Sequence, residues 1–121
     1  MCHFPHSLAL GEVCTNIKLV TSIWANEIFW SFGKCFSSQG DTLNTEQGYA
    51  NNGIFIEECC QEAGSYELLC EDSYGDGWHG AYVEIEGTQY CNDFLHGEEK
   101  TEEATMSTFF TMLHIYCYNI K

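Results

Sequence analysis

The stretch Asn16-Ile-Lys-Leu-Val-Thr-Ser-Ile-Trp-Ala-Asn-Glu-Ile-Phe-Trp-Ser-Phe-Gly33 decides the fold class. It is dense in Ile, Val, Thr, Phe and Trp, residues that pack well on a pleated surface, and it breaks once, at Ala25 and Asn26. It therefore predicts a strand, a turn and a second strand. In the second, Glu27 to Phe32, Ile28, Trp30 and Phe32 share one face while Glu27, Phe29 and Ser31 share the other. That two-residue period is the mark of a half-buried strand.

Working outward, residues 35–52 are rich in Gly, Ser, Asn, Asp and Thr and predict loops. Residues 53–59 resume a strand with Ile54, Ile56 and Glu58 on one side and Phe55, Glu57 and Cys59 on the other. A turn is expected at 61–65, a strand at 66–71 and a glycine-dense loop at 72–80. The next strand, 81–86, sets Ala81, Val83 and Ile85 against Tyr82. Gly87 and Thr88 make a tight reversal into a short strand at 89–91. The charged run 98–103 reads as a solvated surface loop. Residues 105–118 read as a closing strand, with a helix through Met106, Phe109, Phe110 and Leu113 as the alternative. Short strands separated by turns imply an all-β fold, a small disulfide-rich antiparallel β-sandwich of jelly-roll-like type. A chain of 121 residues suits one domain, 1–121. Residues 1–15 form an N-terminal extension and 105–121 a terminal strand, both available for subunit contacts.

Eighteen acidic residues face four lysines and no arginine, a formal charge of −14. A nucleic-acid binder needs cations to displace condensed counterions, and an anionic membrane surface needs them too, so both partners are disfavoured. The charge suits divalent cations or basic partners, and it also keeps an apolar-rich chain soluble. Eight cysteines, Cys2, Cys14, Cys35, Cys59, Cys60, Cys70, Cys91 and Cys117, lack the paired two-residue spacing of zinc or redox sites. An even number in a small chain reads as disulfides and an oxidising, extracellular or cell-surface compartment. Adjacent Cys59 and Cys60 point to opposite sides of an extended strand and are expected to bridge two different neighbours. No signal peptide is evident at the start, so the chain reads as mature or truncated. No stretch approaches the roughly 18 apolar residues of a membrane span.

The sharpest local feature is Asp72-Ser-Tyr-Gly-Asp-Gly-Trp-His-Gly80. Gly75, Gly77 and Gly80 open backbone conformations closed to other residues. Asp72 and Asp76, with Glu71, Asp93 or Glu27, are candidate ligands for calcium, which takes about six to eight oxygens. The competing reading is structural: aspartates cap backbone N–H groups in the turn while Trp78 drops into the core. The acid spacing is not that of an EF-hand, and no phosphate-loop lysine is present.

This motif resembles a recurrent module of secreted and cell-surface proteins, in which a glycine-tyrosine turn enters a strand and an Asp-Ser-Tyr-Gly-Asp-Gly-Trp motif follows. The likeness continues through residues 81–87 and 90–94. Upstream, Asn26-Glu27-Ile28-Phe29-Trp30 is similar to that module's Asn-Glu-Ile-x-Trp strand, and Cys59-Cys60 to its paired cysteines. The resemblance spans roughly 18–97. It implies an extracellular β-sandwich-like module used in adhesive, matrix or multidomain surface proteins, without a settled catalytic role.

No catalytic constellation emerges. His3, His6, His79, His96 and His114 are scattered, no nucleophile elbow occurs, and a disulfide-bonded sulfur is no thiolate. Trp24, beside the turn, is the candidate surface aromatic for a glycan or protein ligand. The preferred reading is a non-enzymatic structural or interaction module that assembles with copies of itself. An end strand, 108–118 or 14–23, would pair with another copy's open sheet edge to build a filament or matrix. The alternative is a calcium-dependent carbohydrate- or protein-binding domain.

Overall fold

A computed structural model describes residues 11–38 and 48–107. Eight strands, β1 (Glu12–Val20), β2 (Ile28–Phe32), β3 (Cys35–Phe36), β4 (Ile54–Glu62), β5 (Gly64–Asp72), β6 (Tyr82–Ile85), β7 (Thr88–Tyr90) and β8 (Glu99–Met106), form two antiparallel sheets. Their orders are β4-β1-β6-β7 and β3-β2-β5-β8. The fold is thus the expected all-β, disulfide-stabilised two-sheet sandwich. Its core is the alternate set read from the sequence: Ile28, Trp30 and Phe32 from β2 meet Ile17 and Leu19 of β1, Leu68 of β5, and Val83 and Ile85 of β6. Burying apolar surface at roughly 25 cal/mol per Å² is what holds the two layers face to face.

Disulfides tie strands together within one sheet and between the two. Cys14–Cys60 joins directly paired residues of β1 and β4. Cys35–Cys59 ties β3 of one sheet to β4 of the other, and Cys70–Cys91 ties β5 to the residue after β7. The adjacent pair Cys59 and Cys60 does serve two different neighbours. Each bridge contributes about 2–4 kcal/mol by restricting the unfolded chain. Cys2 and Cys117 lie outside the described residues.

Several boundaries differ from the sequence reading. The break at Ala25 is a 3-10 turn, Ala25–Glu27, so β2 starts at Ile28 rather than Glu27. The chain crosses between sheets at Ala63 alone, where a longer turn was expected, because β4 and β5 run almost into each other in different layers. The tight reversal sits at Glu86 and Gly87, both with positive φ, which the glycine makes possible. The run 98–103 is not a loop: most of it is β8, with Ala104 and Met106 buried and Glu99, Thr101, Glu103 and Thr105 exposed. Like charges do not preclude a strand when the alternation sends them to the solvated face. Within segment 14–23, Ile17 to Val20 are not a free edge, because they are paired on both sides, to β4 and β6. The closing-strand reading of 105–118 holds at Thr105 and Met106; 108–118 lies outside the described residues, as do His3, His6 and His114.

Candidate functional site

β5 ends at Asp72, and the loop that follows is built from its carboxylate. Asp72 is 1% exposed; its Oδ1 accepts the Tyr74 N–H at 3.2 Å and its Oδ2 the Asp76 N–H at 2.7 Å. A short side chain that accepts from its own downstream backbone N–H groups holds a turn in place. Gly75, Gly77 and Gly80 all take positive φ. At Gly77 a Cβ would sit 2.6 Å from the Leu95 carbonyl carbon and the Phe94 oxygen, so only glycine lets the 94–96 backbone approach this closely.

Trp78 is wholly buried, donating its indole N–H to the Glu71 carbonyl at 2.9 Å and its backbone N–H to the Phe94 carbonyl at 2.9 Å. Its ring lies 6.0 Å from that of Phe94. Two more backbone bonds pin the loop, Asp72 N–H to Glu98 and Ser73 N–H to Glu27. In this geometry the Asp72 carboxylate accepts two backbone N–H groups of the turn, and Trp78 is buried against Phe94.

The same geometry gathers three acids. Because Ile28 pairs with Asp72, the preceding Glu27 at the end of the 3-10 turn lies beside the loop. One carboxylate oxygen each of Glu27, Asp72 and Asp76 fall within 4.8 Å of one another. Glu27 Oε2 and Asp76 Oδ1 are shielded from water and have no hydrogen-bond partner. Burial, then repulsion from Asp72 and Asp76, raises the Glu27 pKa. Burial, then a hydrogen bond with Asp76, raises that of Asp72. Asp76 is held below the usual carboxylate range by the hydrogen bond from Asp72 and by His79, whose Nε2 is 3.1 Å from Asp76 Oδ2.

Three oxygens this close fit around one hard cation at Ca–O distances of about 2.3–2.6 Å, with backbone carbonyls and water needed for the rest of the shell. Of the ligands expected from sequence, Asp72 and Asp76 come together and Glu71 and Asp93 do not. Glu71 alternates with Asp72 and so faces out of the opposite side of its sheet, while Asp93 lies 3.6 Å from Lys100 Nζ. Of the three alternatives to complete the set, Glu27 is the one the strand register delivers. A second grouping, Cys14, Glu58 and Cys60, offers no thiolate, because its two sulfurs are bonded to each other.

Trp24 is 57% exposed on a left-handed backbone at the mouth of the 3-10 turn. Near it, Thr21 and Ser22 hydrogen-bond to Gly53 and Asn52, which brings Ile23 and Trp24 to the start of β4. There Ile54 and Ile56 are 63% and 60% exposed. No helix of the described residues is long and apolar enough to cross a membrane. Searches of family models, curated proteins and solved structures find no match to this chain.

Proposed function

We propose that this chain is a non-enzymatic extracellular module that assembles with copies of itself, with β4 as the accepting edge. The carrying observation is the apolar row on that strand. Ile54 and Ile56 project from the solvent side of a nine-residue strand that, among the described residues, is paired only on its β1 side. Val20 and Tyr82 stand in the adjoining rows, since Val20 pairs with both Ile54 and Tyr82. An exposed apolar pair at a sheet edge, here Ile54 and Ile56, invites another strand to add alongside it. The donor would be the Thr-, Phe- and Ile-rich segment 108–118 of the next copy. A donor and acceptor at different places on one chain make a head-to-tail contact, which propagates into a filament. Three disulfides and the secreted-type motif support an extracellular setting.

Sedimentation velocity and negative-stain microscopy across a concentration series test this. Wild type is expected to form linear assemblies, and Ile56→Lys to remain monomeric with an unchanged melting temperature. A wild-type protein that stays a monodisperse monomer at high concentration would reject the proposal.

A second reading rests on Glu27, Asp72 and Asp76. A divalent cation shared by them would satisfy the orphaned Glu27 Oε2 and Asp76 Oδ1 and relieve the mutual repulsion. Calcium would then stiffen the 72–80 loop next to a ligand site, with Trp24 the aromatic for a glycan or protein. Full burial of Trp78 favours the scaffold reading over this one, because the loop's own aromatic is unavailable to a ligand. Calorimetry with calcium, against an Asp76→Ala variant, separates the two.

A further inference from the structure

The outer face of the β3-β2-β5-β8 sheet carries an arrangement that its own stability does not explain. Register sets Glu71 directly opposite Glu99 and Glu67 directly opposite Glu103, with Leu69 opposite Thr101 between them. Burial alternates so that the odd-numbered residues of both strands point outward. Directly opposed like charges on adjacent strands are destabilising, and here two such pairs share one face. The lysines among the described residues do not answer them. Lys34 bonds Glu12 at 2.9 Å, Lys100 lies 3.6 Å from Asp93, and Lys18 belongs to the other sheet.

Beside the carboxylates the face is aromatic. Phe29 pairs with Glu71, and Phe36, 61% exposed, pairs with Ser31. A shallow groove of about 310 Å³ runs between Phe29, Ser31, Phe36, Ser37 and Glu71. A second hollow of about 250 Å³ opens at Glu67, Thr101 and Glu103. The two carboxylate pairs are four residues apart along β5, about 13 Å at strand rise.

We infer that this face docks a basic segment of another protein, seating one arginine or lysine between Glu71 and Glu99, a second between Glu67 and Glu103, and apolar stems over Phe29, Phe36 and Leu69. A guanidinium placed between two carboxylates turns each repulsive pair into charge-assisted hydrogen bonds, and its planar head can also lie on a phenyl ring. A second copy of this chain is the wrong occupant, because it carries no arginine and a charge of −14. The inference concerns a different sheet and a different partner from the self-assembly through β4, so either can fail without the other.

Fluorescence anisotropy at low ionic strength with a labelled synthetic peptide, Gly-Arg-Thr-Leu-Thr-Arg-Gly, tests it, since extended arginines at that spacing match the two pairs. A version with Glu for Arg is expected not to bind. Glu71→Gln/Glu103→Gln is expected to weaken peptide binding about tenfold and to melt above wild type, because the opposed charges are gone. Glu62→Gln/Glu84→Gln removes the same charge from the other sheet and should change affinity by less than about twofold. Phe36→Ser should weaken binding about threefold. Equal weakening by the two double variants, no binding to wild type, or spermine binding as tightly as the peptide and indifferent to Phe36→Ser would each overturn the inference.

Discussion

Replacing Gly77 by alanine separates two costs that the loop imposes, and Gly80 supplies the internal control. Both residues sit at positive φ, +83° and +92°, so alanine at either meets the left-handed penalty of about 1–2 kcal/mol. At Gly80 nothing lies within 4 Å of the new Cβ, and that penalty is the whole effect. At Gly77 the Cβ would be 2.6 Å from Leu95 C and Phe94 O and 2.8 Å from His96 N, where ordinary contact begins at 3.4 Å. Backbone must therefore retreat by 3.4 − 2.6 = 0.8 Å, and the obstructing Phe94 oxygen is the acceptor for Trp78 N–H. Overpacking of this kind adds about 1–3 kcal/mol, for a total near 2–5 kcal/mol. Urea unfolding under non-reducing conditions, read by tryptophan fluorescence, measures both variants. Gly77→Ala should lose about 1–3 kcal/mol more than Gly80→Ala. Equal losses would refute the packing of the 94–96 backbone against Gly77 and the anchoring of Trp78 built on it.

Trp78→Phe should cost about 1–3 kcal/mol in the same assay, because it leaves the Glu71 carbonyl without its indole donor and leaves part of a filled space empty. In chelator, Glu27→Gln should raise the melting temperature by removing one of three crowded carboxylates, and calcium should no longer shift it. Wild type at calcium a hundredfold above its dissociation constant should instead gain about 2.7 kcal/mol. The pH dependence has a definite sign. Glu27 and Asp72 titrate above their ordinary values of 4.5 and 3.8, so the folded state holds more protons than the unfolded one in that window. Their contribution to stability is therefore lost as pH rises from those values through the folded pKa values, and regained on mild acidification. Asp76 is depressed, so its contribution is lost only as pH falls below 3.8. Thermal melts in chelator from neutral pH downward check this: Glu27→Gln should flatten the gain on acidification, and an equal gain in that variant would contradict the assignment.

Alternation made most of the fold legible. The grouping of residues into faces read for β2, β4 and β6 is the one the structure shows, but that Ile54 and Ile56 lie outside and Phe55 and Cys59 inside came only from the structure. The glycines and Asp72 announced the loop, since their residue types admit few other backbone paths. What remained hidden depends on which strands become neighbours. Glu27 meets Asp72 and Asp76 only because β2 pairs with β5, and no spacing between residues 27 and 72 encodes that pairing. The opposed glutamates of β5 and β8 were hidden for the same reason, and also because a run of charges reads as a loop until its partner strand is known. β1 has the composition of any strand, so its interior place in the sheet did not show.

Hydrogen–deuterium exchange resolved to single amides, run on the protein below and above its assembly concentration, addresses the proposed self-assembly most directly. The Ile54 and Ile56 amides should exchange freely in the dilute protein and slow at least about tenfold on assembly, with the β1–β4 amides unchanged. Assemblies in which those β4 amides exchange as fast as in the dilute protein would contradict the account.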